Sequence, residues 1–144
     1  MAFGYAGQAF QYMHGNCVKQ NNKKTLELVQ KVYEKNDPDA LLATGMNLGT
    51  ATVLWDGADK TEAERKSMEL LLKAAGLDSV PAKCSLADRY QYGIVGAERS
   101  LQKSLEWYQS CKDGLEKEGG PGAGMIEKKM EVVRRLMQEE AGSS

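Results

Sequence analysis

Apolar residues recur along this chain at the three- and four-residue spacing of helix faces, and glycine, proline and asparagine interrupt the pattern at intervals. The clearest stretch runs from Ala82 to Gly114. Leu86, Ala87 and Tyr90 share one face of a first segment, and a break follows at Gly93 to Gly96. Lys103, Ser104, Trp107, Tyr108 and Cys111 then mark a second segment. This predicts a helix, a turn and an antiparallel helix, with the aromatic residues in the core. Upstream the pattern repeats in weaker form. Thr44, Gly45 and Leu48 stand where Leu86, Ala87 and Tyr90 stand, and Lys66-Ser67-Met68-Glu69-Leu70-Leu71 matches Lys103-Ser104-Leu105-Glu106-Trp107-Tyr108. The earliest copy opens with Ala9, Tyr12 and Gly15 and closes with Lys24-Thr25-Leu26-Glu27-Leu28-Val29. The anchoring lysines are 42 residues apart from Lys24 to Lys66 and 37 apart from Lys66 to Lys103. A period in this range predicts stacked helical hairpins.

Local chemistry sets the expected boundaries. Asn22 reads as the cap of the second helix, and Asp37-Pro38 as the start of a third that runs to Leu54 or Trp55. Asp56 to Lys60 reads as a turn, with Thr61 and Glu64 forming a capping box that opens the fourth helix. The two Asp of that turn fall short of the ligand ladder of a calcium loop. Gly76 ends the fourth helix and Pro81 starts the next. Gly119-Gly120-Pro121-Gly122-Ala123-Gly124 is the strongest break in the chain. Beyond it, Ile126, Met130, Val133 and Met137 form one apolar line. The expected organisation is a repeat domain over 1–118, with copies near 6–40, 41–82 and 83–118, a linker at 119–124, and an amphipathic helix and tail over 125–144. The last helix reads as a cap folded back on the third copy; the alternative is pairing with another chain, as in a homodimer.

The third copy, with LADRYQYG followed by KSLEWYQSC, resembles the Sel-one-like repeat, a relative of the tetratricopeptide repeat. ERKSMELLLKAAG in the second copy is a fair match and the first copy a partial one. Leu70 and Leu28 stand where the pattern has the aromatic of Trp107. The resemblance implies an all-α fold, a right-handed alpha-alpha superhelix (solenoid) of about three helical hairpins plus a C-terminal capping helix, acting as a protein-binding scaffold and often found in bacteria. It implies that the first helix of each pair lines the inner face. The candidate partner-binding residues are then Phe10, Gln11 and His14, Met46 and Asn47, and Asp88, Arg89 and Tyr92. Their mix of aromatic, amide, Met and Arg suits a protein interface, the plain alternative being a solvated face. In bacterial proteins similar to this family, one recurrent role is a small immunity protein that blocks a secreted toxin, including effectors of type VI secretion. Another is an adaptor in an envelope or signalling assembly. Three hairpins make a shallow arc, which suits a folded partner better than a long threaded peptide.

Composition narrows the classes further. In 144 residues, 42% apolar, there is enough to build a core. The formal charge is -1, from 19 basic and 20 acidic side chains interspersed, so the electrostatic drive for nucleic-acid binding is missing. No apolar run approaches the roughly 20 residues of a membrane span. Met1 to Tyr12 lacks the charged start and apolar stretch of a signal peptide. Two compartments stay open: the periplasm if this is the mature part of an exported chain, the cytoplasm otherwise. His14 and Cys17 invite a reading as base and nucleophile, but no orienting group or oxyanion site accompanies them, and two ligands are too few for zinc. The expectation is a non-enzyme without cofactor or metal. Cys84 and Cys111 stand at the start of one helix and the end of its antiparallel partner, where a disulfide would clamp the third hairpin. The alternative is two small buried cysteines in a reducing compartment, since three cysteines leave Cys17 odd.

Overall fold

The computed structural model describes residues 3–15 and 19–142, and the chain divides into two compact units, Met1–Ser79 and Val80–Ser144. Among the described residues there are seven α-helices and no strand: α1 Phe3–His14, α2 Asn22–Glu34, α3 Pro38–Ala51, α4 Gly57–Gly76, α5 Val80–Tyr92, α6 Leu101–Lys117 and α7 Ala123–Gly142. A 3-10 turn, Thr52–Leu54, extends α3. The fold is all-α and built from paired helices, as the periodicity predicts.

The first unit holds two hairpins, α1 with α2 and α3 with α4, with α3 stacked on α1 and α4 on α2. Asn21, one residue before the expected cap, closes the start of α2: its Oδ1 accepts from the Lys24 amide at 3.0 Å. Asp37 caps α3 by accepting from the amides of Asp39 and Ala40 at 3.0 and 3.3 Å, with Pro38 just inside, as read from the sequence. The start of α4 differs from expectation. It begins at Gly57, Asp56 makes no side-chain capping bond, and Thr61 lies inside the helix with its hydroxyl donating to the Gly57 carbonyl at 3.4 Å. Ala58, Asp59 and Lys60 contain no helix breaker, so the helix gains one more turn than the Thr61 to Glu64 signal suggested.

Repeat equivalence shows in the hydrogen bonds that join the two helices of a hairpin. Buried Ser67 on α4 donates to the Gly45 carbonyl on α3 at 2.6 Å, and buried Ser104 on α6 donates to the Ala87 carbonyl on α5 at 2.8 Å. These are the two pairs that the copy alignment superposes. Each seryl hydroxyl meets a carbonyl of the facing helix because only a small residue stands there. A Cβ at Gly45 would lie 3.2 Å from both Leu70 Cβ and Leu71 Cδ2. The first copy departs from this pattern: the Thr25 hydroxyl donates to the carbonyl of Asn21, the cap of its own helix, at 2.8 Å.

In the second unit α5 pairs with α6, and α7 packs on α6. Val80, Ala87, Tyr108, Cys111, Ile126, Met130 and Val133 form its core, with Trp107 and Met137 half-buried against it. Tyr108 thus sits where the sequence placed it, while Tyr90 is half-buried under Lys103, whose Nζ lies 5.4 Å from the ring centroid. The apolar line of α7 is consumed by the third hairpin, the capping arrangement. Ion pairs flank it: Lys112 to Glu127 at 3.0 Å and Arg99 to Glu140 at 2.7 Å. At the open end of the hairpin Gly114 is forced by contact, since a Cβ there would fall 2.5 Å from Val80 Cγ2. Next to this close approach the sulfur atoms of Cys84 and Cys111 meet at bonding distance, with Cα atoms 5.3 Å apart.

Candidate functional site

The first helices of the three hairpins carry the candidate contact residues, and each helix treats them differently. On α1, Phe10, Gln11 and His14 are all exposed, and the Phe10 and His14 rings, one turn apart, meet tilted at 53° with centroids at 4.4 Å. On α3, Met46 is 42% exposed and Asn47 half-buried. Both helices bury a stripe made by other positions, Ala9 and Met13 on α1 and Leu41, Leu48 and Gly45 on α3, which leaves Phe10 and Met46 pointing outward.

On α5 the picture is corrected at one residue and altered at another. Arg89 is only 6% exposed, so it offers no surface to a partner; its guanidinium turns inward and donates to the Val95 carbonyl at 3.4 Å. Val95 holds φ +49, a left-handed conformation that a β-branched residue rarely adopts. The sequence places Arg89 among the partner-binding candidates because a surface arginine and one folded back onto its own loop look alike along a chain. Asp88 is half-buried and engaged. It accepts from the Tyr108 hydroxyl and faces Lys129 of α7 at 3.6 Å. Tyr108, 2.9 Å from the Gln91 amide oxygen, has its hydroxyl pushed above the ordinary tyrosine range, first by burial and then by the Asp88 carboxylate. Asp88, Tyr108 and Lys129 therefore tie α5, α6 and α7 together. Tyr92, by contrast, is 64% exposed, with Ile94 exposed two residues on.

Charge around the cap is likewise internal. Lys112 and Arg134 donate to Glu127 and hold its carboxyl below the usual range, and Arg99 does the same for Glu140. Cys17 lies outside the described residues, and His14 is exposed at the end of α1. Among the described residues no group of three or more His, Cys, Asp or Glu is placed to hold a metal ion, and no helix is long and apolar enough to cross a membrane.

One concavity was not anticipated. In the first unit, Gly4, Tyr5 and Gln8 of α1 face Val32 and Lys35 at the end of α2 and Asp37 before α3 across a groove of about 630 Å³. Its signal in the sequence was faint: Lys31 and Lys35, one turn apart, and a tyrosine in the apolar opening segment.

Comparison with known proteins places this geometry. The family model described as Sel1 repeat matches residues 2–37, 46–79 and 80–110, more than half of the chain. Among solved structures, the crystal structure of a Sel1 repeat protein from Oxalobacter formigenes superposes with a TM-score of 0.53 at 19% identity, covering 91% of this chain and 88% of that one. At that identity the likeness speaks to the fold alone. No curated protein matches the sequence.

Proposed function

The chain belongs to the Sel1 repeat family, and from that premise we propose that it is a non-catalytic, stoichiometric protein binder of the immunity type, which seats on a secreted bacterial toxin or effector enzyme and blocks it. Sel1 repeats are in general a protein-interaction fold. The observation that carries the reading is the set of large side chains left outside on the first helices: Phe10, Met46 and Tyr92, each at least 40% exposed on helices that bury Ala9, Leu41 and Leu86. Aromatic and Met side chains of this kind supply much of the energy of protein interfaces. A folded partner is favoured over a peptide, and an occluding role needs no catalytic group on this chain. An adaptor in an envelope or signalling assembly is the second reading, favoured by the same exposed residues.

Capture with the intact chain as bait, followed by assay of what is captured, tests both. The expected result is one stoichiometric partner that is toxic when expressed alone, is silenced by this chain at equimolar ratio, and is lost from a Phe10→Ala, Met46→Ala, Tyr92→Ala variant that keeps its helicity. A captured partner that stays active in the complex overturns the inhibitor reading in favour of the adaptor. Retention by the triple variant overturns the contact residues.

A further inference from the structure

The groove of the first unit has the size of a small-molecule site and a lining whose charges are unevenly spent. Its aromatic wall is the Tyr5 ring; the ammonium of Lys35, a lining residue, lies 5.8 Å from the ring centroid, and that of Lys31, one turn earlier and outside the lining, lies 5.5 Å from it. Among the described residues neither lysine has a carboxylate partner, whereas Lys66, Lys112 and Lys129 each have one. Asp37, the acid of the lining, is already committed: its Oδ1 accepts two amides at the start of α3, where the helix dipole balances its charge. Val32 and Ala40 supply apolar wall, and Gln8 a neutral amide. Gly4 leaves the mouth open, since a Cβ there would meet nothing within 4 Å.

We infer that this groove binds a small organic monoanion with an apolar body, a carboxylate whose charge meets Lys35 and Lys31 while its hydrocarbon part lies against Tyr5 and Val32. The charge is set at one because the formal charges of Lys31, Lys35 and Asp37 sum to +1, which a single carboxylate neutralises. An apolar cation is disfavoured by the same two ammonium groups. The inference goes beyond the protein-binding reading and does not depend on it, for none of the groove residues is among Phe10, Met46 and Tyr92.

Three probes with one apolar body and different charge test it on the full chain: 4-phenylbutyrate, 4-phenylbutanol and 4-phenylbutylamine, each titrated into isotope-labelled protein and followed by amide chemical shifts. The expected result is saturable shifts confined to residues 4–8 and 31–40 with the carboxylate, and binding about tenfold weaker or absent with the alcohol and the amine. Lys31→Gln with Lys35→Gln should abolish the preference for the anion. Gly4→Leu should block the mouth while helicity and melting temperature hold, because leucine is the better helix former. Equal binding of amine and carboxylate, shifts outside the groove, or full binding by Gly4→Leu would each overturn the inference.

Discussion

Thr44 shows how single positions in a repeat report on one another. It occupies the place of Leu86 in the next copy, is buried, and its hydroxyl has no hydrogen-bond partner among the described residues. A buried hydroxyl without a partner costs about 1–3 kcal/mol, so Thr44→Val, which keeps the shape and removes the polar atom, should stabilise. Thermal unfolding should show a gain of about 1 kcal/mol, a rise of roughly 3 °C; an unchanged or lower midpoint would mean that the hydroxyl is satisfied by water. Tyr108 carries a pH dependence of its own. Its hydroxyl is raised above the ordinary value of 10.0 by burial and by Asp88, so the fold favours the neutral form. That contribution is whole below the unfolded value near pH 10 and is lost as pH climbs toward the raised folded one. Stability should therefore fall above about pH 10 with a slope approaching about 1.4 kcal/mol per pH unit from this residue, and Tyr108→Phe should flatten that limb. An alkaline limb identical in wild type and variant would contradict the assignment.

Helices and hairpins are the scale at which the chain was most legible. The apolar period of 3 to 4 residues and the Pro, Gly and Asp punctuation placed every helix pair, since both signals act within a few residues of where they are written. Boundaries set by weaker signals moved: the cap of α2 to Asn21, and the start of α4 back to Gly57. The third hairpin adds a covalent prediction. With Cys84 and Cys111 Cα atoms 5.3 Å apart across the mouth of α5 and α6, we expect a disulfide in protein purified without reductant, read as a mass lower by two hydrogens. Reducing it should lower stability by about 3 kcal/mol, the entropy of a loop of this length. Recovery of both thiols as free and alkylatable under oxidising conditions would rule the clamp out. On the same two helices Gly114 admits Val80, and Gly114→Ala is expected to strain their junction.

At the scale of the whole molecule, the last helix decides how the repeat array ends. Ile126, Met130 and Val133 of α7 cover Val80, Ala87, Tyr108 and Cys111, and that apolar face cannot be left in water without cost. Deleting the residues after Gly120 should therefore destabilise the second unit by several kcal/mol and expose a dye-binding apolar surface. Fluorescence of a hydrophobic dye and near-ultraviolet circular dichroism read the outcome. If the truncated chain keeps its midpoint and stays dark, α7 is an appendage rather than a cap. The same burial bears on self-association, because the apolar line that would join two copies is already spent within one chain.

What the sequence determined by itself was the class of protein: an all-α chain of repeated helical hairpins, with Ser67 and Ser104 in equivalent places. These follow from periodicity and from short-range backbone chemistry, which are local and therefore written in order along the chain. The tertiary structure decided which polar residues remain available. Arg89 and Asp88 read as surface charges, yet one turns back to Val95 and the other is held by Tyr108 and Lys129. The groove between Tyr5 and Lys35 was equally hidden, since its walls come from three helices. Whether a polar side chain meets solvent or a partner depends on residues distant in sequence, and only the packed chain brings those together.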